Sequence, residues 1–316
     1  MDSGRLPTPR LSRTTTIRLD KFKPPGRSIT SMIFADDATL LFLCYDAERE
    51  LSKITAMNAT DGRVMGDHYF DRHDRSAYSH MDLRATSSGP LCLYLQPRPG
   101  RGGKHEHVLE TVRVDVGKES LSIGASSSKA LWIPTNRLCG TRLFLAIGSD
   151  EKLAIIPGEG NVGVDVYMTG DLEDADSCGD LADIPSIASV PHYKYSRLER
   201  VANRLLLLNV DDVGVVDVAN GFFTNHITRG CRKEGKINRT AVWRDRYIFV
   251  LFMDDELWAL DLASFRWTPI PLEGRHGCIY SMAVSPSGVV SWIEQGDRDE
   301  RGLCHLLLRS VQIDMP

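Results

Sequence analysis

The chain has 316 residues, 42% of them hydrophobic and 25% charged, with a formal net charge of −4. That balance is ordinary for a globular protein with a full core, and it gives no global attraction to nucleic acid or an anionic membrane. No apolar run reaches the ~18 residues of a membrane span, and the N-terminal stretch lacks the apolar segment of a secretory signal.

In chain order, residues 1–12 read as a disordered arm in which Pro7 and Pro9 forbid a helix. One domain, residues 13–316, is expected to follow. Thr14 to Leu19 is β-prone but precedes the first repeated unit. That unit opens with Ile29 to Asp37, an apolar run meeting a turn pair, and continues with a second apolar run from Thr39 to Tyr45. The same phrase returns as Ile279 to Ser287 followed by Gly288 to Ile293. Met32 and Met282 are separated by five steps of about 50 residues, a spacing typical of propeller blades. Inner strands are expected at Ser28 to Phe34, Ser79 to Ala85, Lys129 to Thr135, Tyr193 to Val201, Ile237 to Trp243 and Cys278 to Val284. No segment keeps a helical period, and Arg197 to Leu208 reads as two strands around Ala202-Asn203.

Within the units, Asn58, Asp115, Asp217 and Asp261 each close a strand before small or turn-forming residues. A side-chain oxygen there can accept the turn amides and restart the sheet as a hairpin. Two loops interrupt the rhythm. Gln96 to His107 reads as a basic hairpin tip, with Arg98, Arg101 and Lys104. Thr169 to Pro185 carries Asp171, Glu173, Asp174, Asp176, Asp180 and Asp183, and is expected between the third and fourth units. The pattern predicts an all-β fold, a single six-bladed β-propeller. A seventh blade is the alternative, hidden in Asp46 to Val114. Leu303 to Ile313 supplies only the third strand of the last unit, so Thr14 to Leu19 is expected to pair there and close the ring through the chain ends.

The chemistry is sparse. No nucleophile elbow, Walker loop, zinc-protease helix or dinucleotide fingerprint is present, so no catalytic residue, cofactor or metal is assigned. Seven cysteines without a CxxC pair read as reduced structural thiols of a cytoplasmic or nuclear protein. Two histidine clusters, Asp67 to Asp74 and His105-Glu106-His107, have ligand types at plausible spacing, but arginine and lysine neighbours oppose a cation there. The tryptophans sit in apolar runs and read as core. Charged loops gather where blades connect. The binding residues expected on that loop face are Arg27, Arg98, Arg101, His192, Tyr193, Arg232, Lys233, Arg239, Arg275 and His276, because Arg and Tyr anchor interfaces well. A protein or acidic peptide partner would suit them, with the acidic segment as a tethered competitor. Nucleic acid and membrane are not expected as partners, and the chain is expected to be monomeric.

Glu256 to Trp267 resembles the second half of a kelch repeat, in which an aromatic-containing strand ends in a polar residue and a Trp follows a short turn. The likeness covers Ile237 to Pro271. Kelch blades carry a Gly-Gly pair where this chain has Asp211-Asp212 and Asp254-Asp255. The resemblance, to kelch-like or F-box-associated propellers, implies a protein-binding adaptor. The rival expectation is a hydrolase or lyase acting at the central channel. An enzyme should bring three or more of Glu, Asp, Asn or His together from different inner strands.

Overall fold

In the computed structural model every regular segment among the described residues is a β-strand, and the strands form six four-stranded sheets. The structure describes residues 10–19, 29–46, 51–70, 80–86, 89–99, 105–117, 120–132, 142–145, 152–157, 164–168, 186–190, 197–231, 236–254, 256–272, 278–298 and 304–314. After β1 (Arg10–Arg18), the first sheet holds β2 (Ile29–Phe34), β3 (Thr39–Asp46), β4 (Leu51–Asn58) and β5 (Val64–Tyr69). The second holds β6 (His80–Thr86), β7 (Gly89–Pro99), β8 (His105–Val116) and β9 (Leu121–Trp132). The third holds β10 (Arg142–Leu145), β11 (Lys152–Pro157), β12 (Val164–Met168) and β13 (Ala188–Val190). The fourth holds β14 (Arg197–Val201), β15 (Arg204–Leu208), β16 (Asp212–Asp217) and β17 (Phe223–Ile227). The fifth holds β18 (Ile237–Trp243), β19 (Tyr247–Phe252), β20 (Leu257–Asp261) and β21 (Arg266–Ile270). The sixth holds β22 (Ile279–Val284), β23 (Val289–Arg298) and β24 (Cys304–Asp314), and its fourth strand is β1.

The apolar runs are explained by burial on both faces. Along β19, Ile248, Val250 and Phe252 pack toward the fourth sheet, while Tyr247, Phe249 and Leu251 pack toward the sixth. Leu206 and Leu208 of β15 pack toward the fifth sheet, and Leu205 and Leu207 toward the third. A strand covered on one face would alternate apolar and polar; these do not. The same stacking joins the sixth sheet to the first through Ile293, Leu308, Met32 and Phe42, and the first to the second through Leu41, Ile54, Leu83 and Val114. Sheets stacked side by side through both faces, each a four-stranded meander, make a β-propeller.

Because neighbouring strands run antiparallel in chain order, connections alternate between two ends. First-to-second and third-to-fourth turns share one end, called here the hairpin end. Second-to-third turns and sheet-to-sheet links share the other, the linker end. Backbone bonds between turns agree: Ala59 N donates to Ala38 O at 2.7 Å, Val218 N to Asn203 O at 3.0 Å and Leu262 N to Arg246 O at 2.9 Å. The turn chemistry read from Asn58, Asp217 and Asp261 is present, their side chains accepting the amides of Thr60 (2.8 Å), Ala219 (2.9 Å) and Ala263 (3.0 Å). Asp115 departs from it and pairs with Arg113. Gly221 closes the Asp217 turn at φ 71°, and a Cβ there would lie 2.2 Å from Ile187 O. No other residue fits that position.

Several expectations are corrected. Lys129 to Trp132 is no inner strand: it ends β9, the outer strand of the second sheet, and the third sheet begins with β10 at Arg142. No Gly, Pro, Asn or Asp interrupts the chain from Ala125 to Trp132, and the ladder with β8 runs on to Glu106↔Trp132. Gln96 to Pro99 and His105 to His107 are likewise not loop. They pair as Pro97↔His107, Arg98↔Glu106 and Pro99↔His105. β6 has already ended its pairing at Leu95, so prolines two apart can turn their missing donors to a side that needs none. The acidic segment 169–185 lies outside the described residues, but its flanking strands β12 and β13 are neighbours in one sheet. It therefore joins third and fourth strands at the hairpin end, rather than linking two units. Asp67 and His68 sit in β5, not in a loop; Asp67 accepts the Thr55 hydroxyl and pairs with Lys53. β1 begins at Arg10, inside the stretch expected as an arm.

Candidate functional site

Inner strands of a propeller meet around the axis, and here three of them carry charge where packing alone would ask for apolar residues. β6 reads Asp82-Leu83-Arg84, β14 reads Arg197-Leu198-Glu199, and β18 reads Asn238-Arg239-Thr240. The strand period puts the first and third residues of the β6 and β14 triplets on one side, while in β18 the charged residue is the middle one, next to a register shift between Ile237 and Arg239. Leu83 and Leu198 go into the inter-sheet clusters.

The outer layer of the site lies at the linker end, where β14, β18 and β22 begin. Arg197 donates through Nη2 to the carbonyl of Asn238. Arg239 donates through Nη1 to that same carbonyl at 2.8 Å and to Asn238 Oδ1 at 2.9 Å, and through Nε to Tyr280 O at 2.6 Å. Two guanidinium groups thus converge on one backbone oxygen. Burial and the adjacent Arg197 charge both push the Arg239 guanidinium below its ordinary pKa. Cys278, exposed and free, stands at the entrance of β22.

One step inward, Arg84 pairs with Asp82 at 2.5 Å. Glu199 accepts the hydroxyl of Thr240. Burial drives the Glu199 carboxyl above its usual range, against the pull of Arg84 and the Thr240 bond. Toward the hairpin end, Arg200 donates to Ala202 O at 3.2 Å. Burial and Arg84 push its guanidinium down to about 10, with Asp245 opposing.

Of the residues expected to bind, the structure brings Arg239 into this site. Arg98 lies in β7. Arg27, Arg101, His192, Tyr193, Arg232, Lys233, Arg275 and His276 lie outside the described residues. Sequence reasoning missed Arg84, Arg197 and Glu199. Their signal was available: charged residues at alternating positions of inner strands break the apolar rule without an obvious compensation. The metal expectation is addressed only for the described residues, among which no group of three or more His, Cys, Asp or Glu is placed to hold an ion. Four tryptophans pack as expected, and Trp243, buried beside Arg244, donates to Pro286 O at 3.0 Å. Cys44, Cys92, Cys231 and Cys278 are free thiols. No helix among the described residues is long and apolar enough to cross a membrane.

No family model matches the chain, and no curated protein matches it. Solved structures do. A streptogramin B lyase structure superposes with a TM-score of 0.52 at 9% identity, covering 95% of this chain and 98% of that one. Virginiamycin B lyase from Staphylococcus aureus gives 0.51 at 8% identity, covering 94% and 99%. Raptor from Chaetomium thermophilum gives 0.54 at 9% identity, covering 96% of this chain and 30% of that one. At such identity the likeness speaks for the fold alone: the chain is a β-propeller. The kelch-like phrase folds as β20, a turn and β21, and no family model extends it.

Proposed function

We propose that this chain is a non-catalytic protein-interaction module, a closed six-bladed propeller that captures an acidic segment of a partner at the linker end of its channel. The observation that carries the reading is the pair Arg197 and Arg239, converging on the Asn238 carbonyl at the channel mouth. A partly buried positive charge is costly unless an anion is supplied, and the three acceptors that Arg239 bonds are all neutral. Ring closure is supported by the pairing of β1 with β24. It is supported also by the attraction of Glu199 in the fourth sheet to Arg84 in the second, across the axis. Arg98 near the end of β7, with Arg27, Arg101, His192, Tyr193, Arg232, Lys233, Arg275 and His276, belongs to this proposal as the wider contact surface. So do the monomeric state and a reducing compartment, the cytoplasm or nucleus.

The acidic segment 169–185 does not belong to it as a competitor, because its flanking strands meet at the opposite end. The test is capture of native partners by the full chain. Proteins retained by wild type, identified and purified, should lose binding to the Arg239→Glu and Arg197→Glu variants while the melts stay close to wild type. Undiminished binding to both variants would sink the reading.

Catalysis at the channel is the second reading. It has one observation in its favour: Asp82, Glu199 and Asn238 come from three different inner strands, the convergence expected of an enzyme. Two of the solved structures it resembles are lyases. It ranks behind because both carboxylates are already engaged, Asp82 with Arg84 and Glu199 with Thr240.

A further inference from the structure

The donor count at the channel mouth narrows the ligand. A guanidinium has five N–H donors. Arg239 gives one to Tyr280 O and two to Asn238, through its carbonyl and its side-chain oxygen. All three acceptors are neutral. The two hydrogens on Nη2 are those left over, and no carboxylate pairs with this side chain among the described residues. The bonds to Tyr280 and Asn238 also fix the guanidinium plane, so a ligand would meet a donor already ordered.

The charges point the same way. Among the described residues, Arg84 stands against Asp82 at 2.5 Å, and Arg197 is attracted to Glu199 two residues along the same strand. Arg200 has Asp245 nearby. Arg239 has no carboxylate counterpart among the described residues, and a group that acts on it with opposite sign is the thiol of Cys278. A charge with no carboxylate of its own and one nitrogen left to donate matches one carboxylate, an oxygen of which accepts from Nη2. A phosphate brings a charge near −2 and three strong acceptor oxygens, which this donor set underfills. A neutral group would leave the charge uncompensated.

We infer that the channel mouth takes a single carboxylate group of the partner, bound through Nη2 of Arg239 with Arg197 beside it; this rests on the acidic-partner reading above. The carboxylate can come from an Asp or Glu side chain or from a free chain terminus. Both present the same two oxygens.

The experiment uses the full chain immobilised, with four pools of random decapeptides that are otherwise alike. One pool has a free C-terminal carboxylate and no acidic side chain. One is amidated with a single internal Glu, one amidated with a single phosphoserine, and one amidated without any acid. At least one carboxylate pool should be retained tenfold or more over the neutral pool, and the better retained of the two identifies the source. That excess should vanish with Arg239→Gln and survive in part with Arg239→Lys. Preferential retention of the phosphoserine pool would overturn the carboxylate assignment while leaving the acidic-partner reading standing. The same would follow if the carboxylate excess persisted in Arg239→Gln. Equal retention of all four pools would overturn both. With wild-type protein alone, and so free of any folding defect, acetate should displace the retained pool better than sulfate at equal ionic strength. The reverse order counts against the carboxylate.

Discussion

Single residues in this chain set local structure by hydrogen bonding more often than by size. Asp37 is held below the usual carboxylate range by the hydroxyl and amide of Ser287. Asp261 is pushed up by burial, but Arg246, the Ala263 amide and Ser264 outweigh that and hold it low. A carboxyl whose folded pKa is depressed adds stability above its unfolded value, and that stability is lost as pH falls through the folded value. Wild type should therefore lose stability steeply below about pH 4, and the double variant Asp37→Asn, Asp261→Asn should show a flatter acid limb in urea melts. Equal slopes would remove these two residues from the account. Glu294 is a buried case: 1% exposed, it accepts the Trp292 indole at 2.9 Å and pairs with Arg309 at 2.5 Å. Glu294→Ala leaves Arg309 without that partner and should cost about 3 kcal/mol by denaturant unfolding, more than Glu294→Gln, which keeps an acceptor for Trp292. The turn aspartates were legible because their chemistry is local. For Arg197 and Glu199 the alternation was visible but its meaning was not, because an alternating charged strand reads the same whether its polar side meets water or a channel.

Among the elements, legibility followed apolar runs and turn signals. β18 is placed over the very residues expected, and Ala202-Asn203 does divide β14 from β15. β10 escaped notice because it is four residues long and repeats no phrase found elsewhere. β9 misled because Ala130, Leu131 and Trp132 look like the start of a unit when they finish one. The repeated phrase was right about more than spacing: its two copies touch, Ser287 N donating to Asp37 Oδ1 at 2.8 Å. β1 is the element most exposed to test. It pairs with β24 from Arg10↔Asp314 to Arg18↔Leu307, with Leu19 buried against the sixth and first sheets. The Ile17 methyl fills the space above Gly62, where a Cβ would lie 2.7 Å away. Removing residues 1–19 takes away that ladder, the burial of Leu19, worth roughly 1.5–3 kcal/mol, and the partial burial of Ile17. The melting temperature should fall by several degrees, and an unchanged melt would show that β1 holds nothing together.

Taken whole, the molecule is a stack of sheets tied to one another at the hairpin end. Ala202 N donates to Asp245 at 3.2 Å, the Trp243 indole to Pro286 O, and Ser287 N to Asp37, which joins the fourth sheet to the fifth, the fifth to the sixth and the sixth to the first. At the linker end side chains join some of the same sheets, Arg197 reaching the Asn238 carbonyl and Arg239 reaching Tyr280 O. The pairing of β1 with β24 has a consequence in time. Synthesis delivers β1 some 290 residues before its partner strand, at ~5–20 residues per second. For most of that interval β1 has no strand to pair with, and once β22 and β23 are made the sixth sheet is still incomplete. Each is a template for strands of neighbouring chains on the same message. The sixth sheet can be completed only after Asp314 clears the exit tunnel, and until then β1 depends on whatever shields it.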